Sequence, residues 1–231
     1  MTYEKIFSLE ERAKRNRAVR FMLLFISAVL TGLCLVISKI GIIEWLTLVP
    51  CALFLLALAS DKETRLRTLY CYGLFFFMIF YTVNFHWFIN LYPLDFIDGM
   101  TKGAALAVVL VAWIGLSFFQ AVQGALVFVL AGLVFRSSLC RRFSLLKPFA
   151  LGAIWAVYEW LQTFGWWGVP WGRLPLGQAE YVVGLQTASW FGPYFITFLI
   201  ASVNALIAYA LLNRPKIKVC CIVIASILIF Q

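Results

Sequence analysis

Two ionisable side chains lie among apolar neighbours, where a charge or a proton would carry chemical weight. Glu159 falls near the end of the apolar run 146–163, with Trp155 four residues before it and Gln162 three after. A carboxylate at membrane depth costs about 2.5–3.5 kcal/mol on insertion scales, so it needs a partner or a wet cavity. Arg173 is the next cation along the chain and is the expected partner. Glu159 reads equally as a structural hydrogen-bond acceptor and as a substrate contact. His86, the single histidine, stands four residues before Asn90, a spacing that puts both on one face of an α-helix. It reads either as a polar site at a membrane boundary or, more simply, as part of an interfacial aromatic belt with Trp87 and Tyr92. A lone histidine cannot build a metal site, and neither a metal nor a cofactor is expected. The cysteines, at 34, 51, 71, 140, 220 and 221, contain no C-x-x-C pair. No disulfide or zinc framework is expected of them, and they read as small hydrophobes. A thiol or hydroxyl nucleophile needs an adjacent base, and Cys34, the one cysteine towards the outer end of a span, has none near it in sequence. No catalytic residue is therefore assigned.

A different kind of site lies just beyond Glu159. Trp155, Trp160, Trp166, Trp167, Trp171 and Trp190 are six of the nine tryptophans in the chain. The stretch 164–184, FGWWGVPWGRLPLGQAEYVVG, holds five glycines and two prolines, which argue against a continuous helix. It is too apolar for a solvated loop, with only Arg173 and Glu180 charged. Such a segment folds into the headgroup region, either as a surface that holds acyl chains beside polar groups or as a passive aromatic anchor.

The elements that must position these residues are helices in a membrane. The 231 residues are 64% hydrophobic and 13% charged, with mean hydropathy +0.94 and a formal charge of +9. Soluble domains are about 45–50% apolar and about 25% charged. A soluble enzyme, a disordered chain and a disulfide-stapled secreted domain are excluded. The fold class is an all-α integral membrane protein, with about six complete transmembrane helices plus a truncated seventh and a cytoplasmic N-terminus. Spans are predicted near 21–38, 40–60, 68–92, 103–135, 146–163, 192–212 and 219–231, with an outer Trp/Gly/Pro-rich loop at 164–191. Residues 1–20 read as a basic cytoplasmic or interfacial helix, with Ser8-Leu9-Glu10-Glu11 fitting a capping box. The first span is too long for a signal-peptide core and has no A-x-A-like site.

Charge decides how the long fourth run is read. As one helix it leaves only Lys39, Lys102 and Arg173 outside, so 16 of the 19 basic residues lie inside. Split in two it gives ten inside and nine outside. The positive-inside rule favours one helix of about 50 Å. The net charge is thus a matter of topology, with basic loops against anionic lipid, and no nucleic-acid partner is expected. The seventh run is about 20 Å as a helix, too short to cross. The expectation is a piece of a longer protein whose further residues emerge on the outer face.

At Glu159-Trp160-Leu161-Gln162, Trp167-Gly168-Val169-Pro170-Trp171-Gly172-Arg173-Leu174 and Leu176-Gly177-Gln178 the chain resembles the apolipoprotein N-acyltransferase family. Phe191-Gly192-Pro193-Tyr194, Val203-Asn204-Ala205-Leu206 and Trp45-Leu46-Thr47-Leu48-Val49-Pro50 fit the same family, and the similarity runs through essentially the whole chain. Many members carry an arginine shortly after the glutamate, where this chain has Gln162. The resemblance implies an N-terminal membrane domain, a periplasmic nitrilase-like domain with a Glu, Lys and Cys triad, and a last membrane helix. Nothing in these 231 residues matches the nitrilase-like domain.

The implied reaction moves an acyl chain from a phospholipid to the N-terminal diacylglyceryl cysteine of a bacterial lipoprotein, through a thioester. This chain would be the membrane platform in the bacterial inner membrane, inactive by itself. Its lipid-entrance candidates are Glu159, Trp160, Gln162, Trp167, Pro170, Trp171, Arg173, Gln178, His86 and Trp87. Its implied partners are membrane lipids, the phospholipid acyl donor and, through the complete enzyme, the diacylated lipoprotein acceptor. The rival readings are a standalone scaffold or lipid-binding subunit and, behind it, a small transporter. Against the transporter, no internal repeat relates the two halves.

Overall fold

The computed structural model describes residues 16–165, 168–169, 171–181, 185–213 and 216–230, with side chains given as far as residue 226. The proposed capping box at residues 8–11 and most of the basic segment 1–20 lie outside the described residues. Every regular element among the described residues is helical. They are α1 (Arg17–Val36), α2 (Glu44–Thr47), α3 (Val49–Leu58), α4 (Leu66–Asn84), α5 (Lys102–Phe135), α6 (Ser138–Arg142), α7 (Leu146–Leu161), α8 (Ala188–Phe191), α9 (Pro193–Leu212) and α10 (Ile217–Phe230). Three 3₁₀ segments, Ser38–Ile43, Phe85–Leu91 and Leu174–Gln178, complete the set.

Several helices begin where the sequence supplies a cap or a proline. The Asn16 side chain accepts the Ala18 N–H at 2.9 Å to start α1, and Thr101 accepts the Ala104 N–H at 3.3 Å to start α5. Both satisfy a backbone donor that the first helical turn leaves orphaned. Pro193 opens α9 after Gly192 at φ +78°. The run 103–135 is one continuous helix of 34 residues, Lys102–Phe135. The run 40–60 is not continuous. Pro50 has no N–H to give Leu46, so the segment is a 3₁₀ stretch, then α2, then α3.

The long helices pack as a ring in the order α1, α4, α5, α7, α9, α3 and back to α1, with α10 outside against α9. Aromatic side chains fill the middle. Phe76 and Phe77 of α4 meet Trp155 of α7 with ring centroids 6.0 and 5.3 Å apart, and Phe54 of α3 meets Phe128 of α5 at 6.0 Å. Large apolar side chains also cover the outside, as along α5 at Leu106, Val111, Phe118, Leu126 and Leu133. A soluble protein does not expose such a stripe, whereas in lipid it costs nothing. This is an apolar, all-helical membrane protein.

Among the described residues, five segments are long and apolar enough to cross a bilayer: Arg17–Val36, Ser38–Leu58, Leu66–Leu91, Lys102–Phe135 and Pro193–Leu212. The expected fifth span, 146–163, forms a helix of 16 residues, Leu146–Leu161, shorter than a full crossing of about 20. Its neighbours compensate, because α7 is held between α5 and α9.

Small residues let α4 and α5 approach closely. A Cβ on Gly124 would lie 2.6 Å from the Phe77 ring, and one on Gly73 would lie 2.9 Å from Ala125 Cα. Gly124→Val and Gly73→Val should each destabilise the bundle by about 1–3 kcal/mol, read as a lowered unfolding midpoint in detergent. Gly115→Val, where a Cβ meets nothing within 4 Å, should leave the midpoint within about 0.5 kcal/mol of its starting value.

Candidate functional site

One end of the ring carries the irregular segments Ser38–Ile43, Phe85–Leu91 and 171–181, and beneath them lies a buried polar layer. It is built around two carboxylates. Glu159, in the last turn of α7, is 2% exposed. Its Oε1 accepts the Leu174 N–H at 3.0 Å, its Oε2 accepts the Thr197 hydroxyl of α9, and the Trp155 indole lies alongside. Leu174 begins a 3₁₀ helix, so its N–H is one of the donors that a helix start leaves free, and a carboxylate there is favoured. Glu159 therefore joins α7, α9 and the start of the segment 174–178.

Arg173 is not its ion-pair partner: no Glu159–Arg173 ion pair within 4.0 Å occurs among the described residues. Two neutral donors satisfy the carboxylate directly, and the Arg173 charge acts on it from further away. The guanidinium instead donates to the Tyr194 hydroxyl at 3.1 Å and to the Gln162 carbonyl at 3.3 Å, with its carbon 5.8 Å from the Tyr194 ring centre. Its Nε is buried without a partner.

The second carboxylate is Glu44, fully buried at the start of α2. Its Oε2 accepts from Gln178 Nε2 at 2.7 Å, while Oε1 has no partner. The same Gln178 nitrogen donates to the Gly41 carbonyl at 2.8 Å, and Gln178 Oε1 accepts the Trp45 indole N–H at 3.1 Å. The approach needs Gly177, where a Cβ would lie 2.5 Å from Glu44 Oε2. The two carboxylates thus hold opposite ends of the 3₁₀ helix Leu174–Gln178. Asn204 of α9 supports Glu44 from below. Its Nδ2 donates to the Glu44 carbonyl at 3.0 Å and its Oδ1 accepts the Leu48 N–H at 2.9 Å. These are the backbone groups freed where the helix breaks.

The other candidates divide by exposure. Gln162 is buried, and its Nε2 donates to the Tyr158 hydroxyl at 2.8 Å and the Tyr81 hydroxyl at 3.4 Å. Those two hydroxyls are 2.8 Å apart, and Gln162 Oε1 is left without a partner. Trp87 and Trp171 meet edge to face with centroids 5.3 Å apart, and a Cβ on Gly172 would lie 2.9 Å from Asn84 Nδ2. Trp160 faces outward against Phe164. Trp167 and Pro170, like Trp166, lie outside the described residues. His86 is exposed, with Nδ1 3.1 Å from the Val83 carbonyl. The segment that carries it is a 3₁₀ helix, in which residues four apart point about 120° away from one another. The shared face expected for His86 and Asn90 is lost for that reason. Cys34 is buried, with Sγ 3.8 Å from the Ile40 carbonyl.

Sequence reasoning placed Glu159, Gln162, Arg173 and Gln178 in one neighbourhood, and the structure brings them together. It missed Glu44, Thr197 and the Tyr81–Tyr158 pair as members of the layer. Glu44 carried a usable signal, as the one charge in the run 40–60. Tyr158 stands four residues before Gln162, a spacing that could have suggested their contact, whereas Tyr81 carried no signal because its partners come from a distant helix.

Removing Gln178 strands Glu44 Oε2, the Trp45 N–H and the Gly41 carbonyl at once. Gln178→Ala should cost about 2–3 kcal/mol by unfolding in detergent. Glu159→Leu, which strands the Leu174 N–H and the Thr197 hydroxyl, should cost more than Glu159→Gln, which retains one acceptor.

Residues 27–206 match the family model described as "Apolipoprotein N-acyltransferase N-terminal domain". The apolipoprotein N-acyltransferase of Gloeobacter violaceus is 30% identical over 199 residues, covering 86% of this chain and 36% of that protein. Its counterpart from a Nostoc species is 26% identical over 177 residues, covering 75% of this chain and 33% of that protein. The chain spans about a third of the length of these relatives. With the match reaching from α1 through the Trp/Gly/Pro-rich segment into α9, the chain belongs to the apolipoprotein N-acyltransferase N-terminal domain family.

Proposed function

We propose that the chain is the membrane platform of an enzyme that transfers an acyl chain from phospholipid to the N-terminal diacylglyceryl cysteine of a bacterial lipoprotein. The observation that carries this reading is the double anchorage of the segment 174–178 by two buried carboxylates at one end of an apolar bundle. An enzyme whose two substrates both reside in a bilayer needs a rigid, partly apolar surface at the headgroup level. A segment pinned at Leu174 by Glu159 and at Gln178 by Glu44 provides one. Trp87, Trp171 and Arg173 line that end and would meet acyl chains and polar headgroup atoms together.

The protein resides, on this reading, in the bacterial inner membrane as a multi-pass chain, with the Trp/Gly/Pro-rich end facing the periplasm. The charge distribution supports that orientation: Arg65, Arg67, Arg136, Arg141, Arg142, Lys147, Lys216 and Lys218 belong to the opposite end of the bundle, as the positive-inside rule requires of a cytoplasmic face. Acyl transfer through a thioester needs a thiolate with a general base. The one thiol towards the loop end, Cys34, is buried, its Sγ faces the Ile40 carbonyl and the charge acting on it is the Glu44 carboxylate and not a cation, which makes it an inert thiol. The platform role therefore excludes the nucleophile, and the 231 residues by themselves should not transfer an acyl group.

The purified 231-residue chain, mixed with phospholipid and a diacylated lipopeptide, should give no triacylated product by mass spectrometry. Product formation would overturn the platform reading. In the longer protein, Glu159→Gln and Arg173→Ala should lower kcat/KM by about 10- to 100-fold through displacement of the platform. Unchanged folding and unchanged activity in the Glu159 variant would remove the proposed role of that carboxylate.

A further inference from the structure

At the end of the bundle opposite the Trp/Gly/Pro-rich segment, a cavity of about 500 Å³ opens where the end of α3, the start of α7 and the end of α9 meet. Its walls are polar, unlike the lipid-facing flanks of the bundle: Ser60, Asp61, Ser144, Lys147, Tyr209 and Asn213 line it. Lys147 Nζ donates to Ser60 Oγ at 2.9 Å. Lys216 Nζ, arriving from the turn before α10, donates to Ser144 Oγ and to Tyr209 Oη, each at 3.0 Å. The Ser144 and Tyr209 oxygens are themselves 2.6 Å apart.

The two ammonium groups have neutral partners: besides the hydroxyls, Lys147 Nζ lies 6.0 Å from the Phe135 ring centre and Lys216 Nζ 5.6 Å from that of Tyr209, and among the described residues neither has a carboxylate within 4.0 Å. Asp61, on the rim, is engaged in its own turn. Its Oδ1 accepts the Glu63 N–H at 2.9 Å and its Oδ2 accepts the Thr64 hydroxyl at 3.4 Å. Of the Ser144–Tyr209 pair, one hydroxyl donates to the other, so one O–H of the pair remains to be given away, as does that of Ser60. A cation in the wall, Lys147, a second, Lys216, bonded to two of the lining hydroxyls, and two hydroxyl donors are the complement of a phosphate. The cavity sits at the ends of three apolar helices, on the basic side of the bundle, and its remaining wall is the apolar surface of Leu56, Ala57 and Leu212. A phosphate that carries a glycerol and acyl chains fits both walls.

We propose that this cavity binds the headgroup phosphate of an anionic phospholipid from the leaflet at the basic end, with Lys147 and Lys216 as its cationic ligands. The site is separate from the carboxylate-anchored layer and does not depend on the acyl-transfer reading. Basic pockets between helices on the cytoplasmic side recognise anionic headgroups by the same charge complementarity.

The test uses the 231-residue chain in nanodiscs of equal parts phosphatidylglycerol and phosphatidylcholine, with retained lipid counted by native mass spectrometry. Phosphatidylglycerol should be enriched among the retained lipids, and Lys147→Gln and Lys216→Gln should each lower that enrichment roughly fivefold. The pair Lys62→Gln/Lys218→Gln, which removes the same charge away from the cavity, should preserve it. Equal retention of the two lipids by the unaltered chain would overturn the proposal, as would persistence of the preference in Lys147→Gln/Lys216→Gln. Equal loss in the control pair would reduce the effect to net charge and also overturn it. Displacement of the lipid by millimolar inorganic phosphate would assign the cavity to a free anion instead. If the glutamine pair does not fold, Lys147→Arg/Lys216→Arg decides, because it keeps both charges and should keep the preference.

Discussion

Polar groups buried in an apolar bundle must find partners inside the protein, and this constraint shapes the end of the molecule where the irregular segments lie. Pro50 breaks the second apolar run, freeing backbone groups at Glu44 and Leu48 that neither lipid nor water can satisfy at that depth. Asn204 takes both. On the other side of the break, the Ser27 hydroxyl donates to the Thr47 carbonyl at 2.7 Å, and Thr31 meets the Thr47 hydroxyl at 2.9 Å. The broken segment is thereby fastened to α1 and α9, and Glu44 is fixed beneath Gln178. Without the break there would be no short helix to turn the Glu44 side chain toward the segment 174–178.

The parts of this architecture that were legible in the sequence depend on local signals. Long uncharged runs gave the helices, and the sign of the flanking charges favoured reading 103–135 as one helix, matching Lys102–Phe135. Glycine and proline density marked the stretch beyond Glu159 as no continuous helix, and its described residues include the 3₁₀ turn Leu174–Gln178. Hydrogen-bond partners were less legible. Arg173 was the natural partner for Glu159 by charge and proximity, yet Thr197, 38 residues away, and a backbone N–H took its place. Neutral donors can do so because a buried carboxylate gains as much from short, well-directed hydrogen bonds as from a cation. His86 illustrates a second limit. Its pairing with Asn90 assumed 3.6 residues per turn, and α4 tightens to 3₁₀ at Phe85, a change that hydrophobic periodicity does not reveal.

The two ends of the bundle solve opposite electrostatic problems. At the loop end the buried charges are carboxylates, and their partners are directed donors: an amide, a hydroxyl and a backbone N–H. At the basic end the cations satisfy neutral oxygens: Arg136 donates to the Ala59 and Thr64 carbonyls at 2.8 and 2.7 Å and closes the end of α3, and Lys147 and Lys216 donate to hydroxyls. This asymmetry serves a protein whose orientation in the bilayer matters. The cations supply the topological bias, which leaves the other end free to be built from aromatic and amide groups that tolerate contact with lipid.

Removing one carboxylate alone strands its donors, but replacing the carboxylates together with their polar partners would cost the fold little. Burying an ionisable group is expensive, and a well-packed apolar replacement is often as stable or more so. Glu44 makes the point, since one of its oxygens is left without a partner. What the pair provides is uniqueness. The Leu174–Gln178 turn is apolar enough to sit against the bundle in several registers, but only one register places the Leu174 N–H on Glu159 and the Gln178 amide on Glu44, Gly41 and Trp45 together. That register requires Gly177, because a side chain there would occupy the space of the Glu44 carboxylate. Shifting the turn by one residue would bury at least four unpaired polar groups, at about 1–3 kcal/mol each. That penalty makes a glycine- and proline-rich segment behave as a fixed surface and not as a loop.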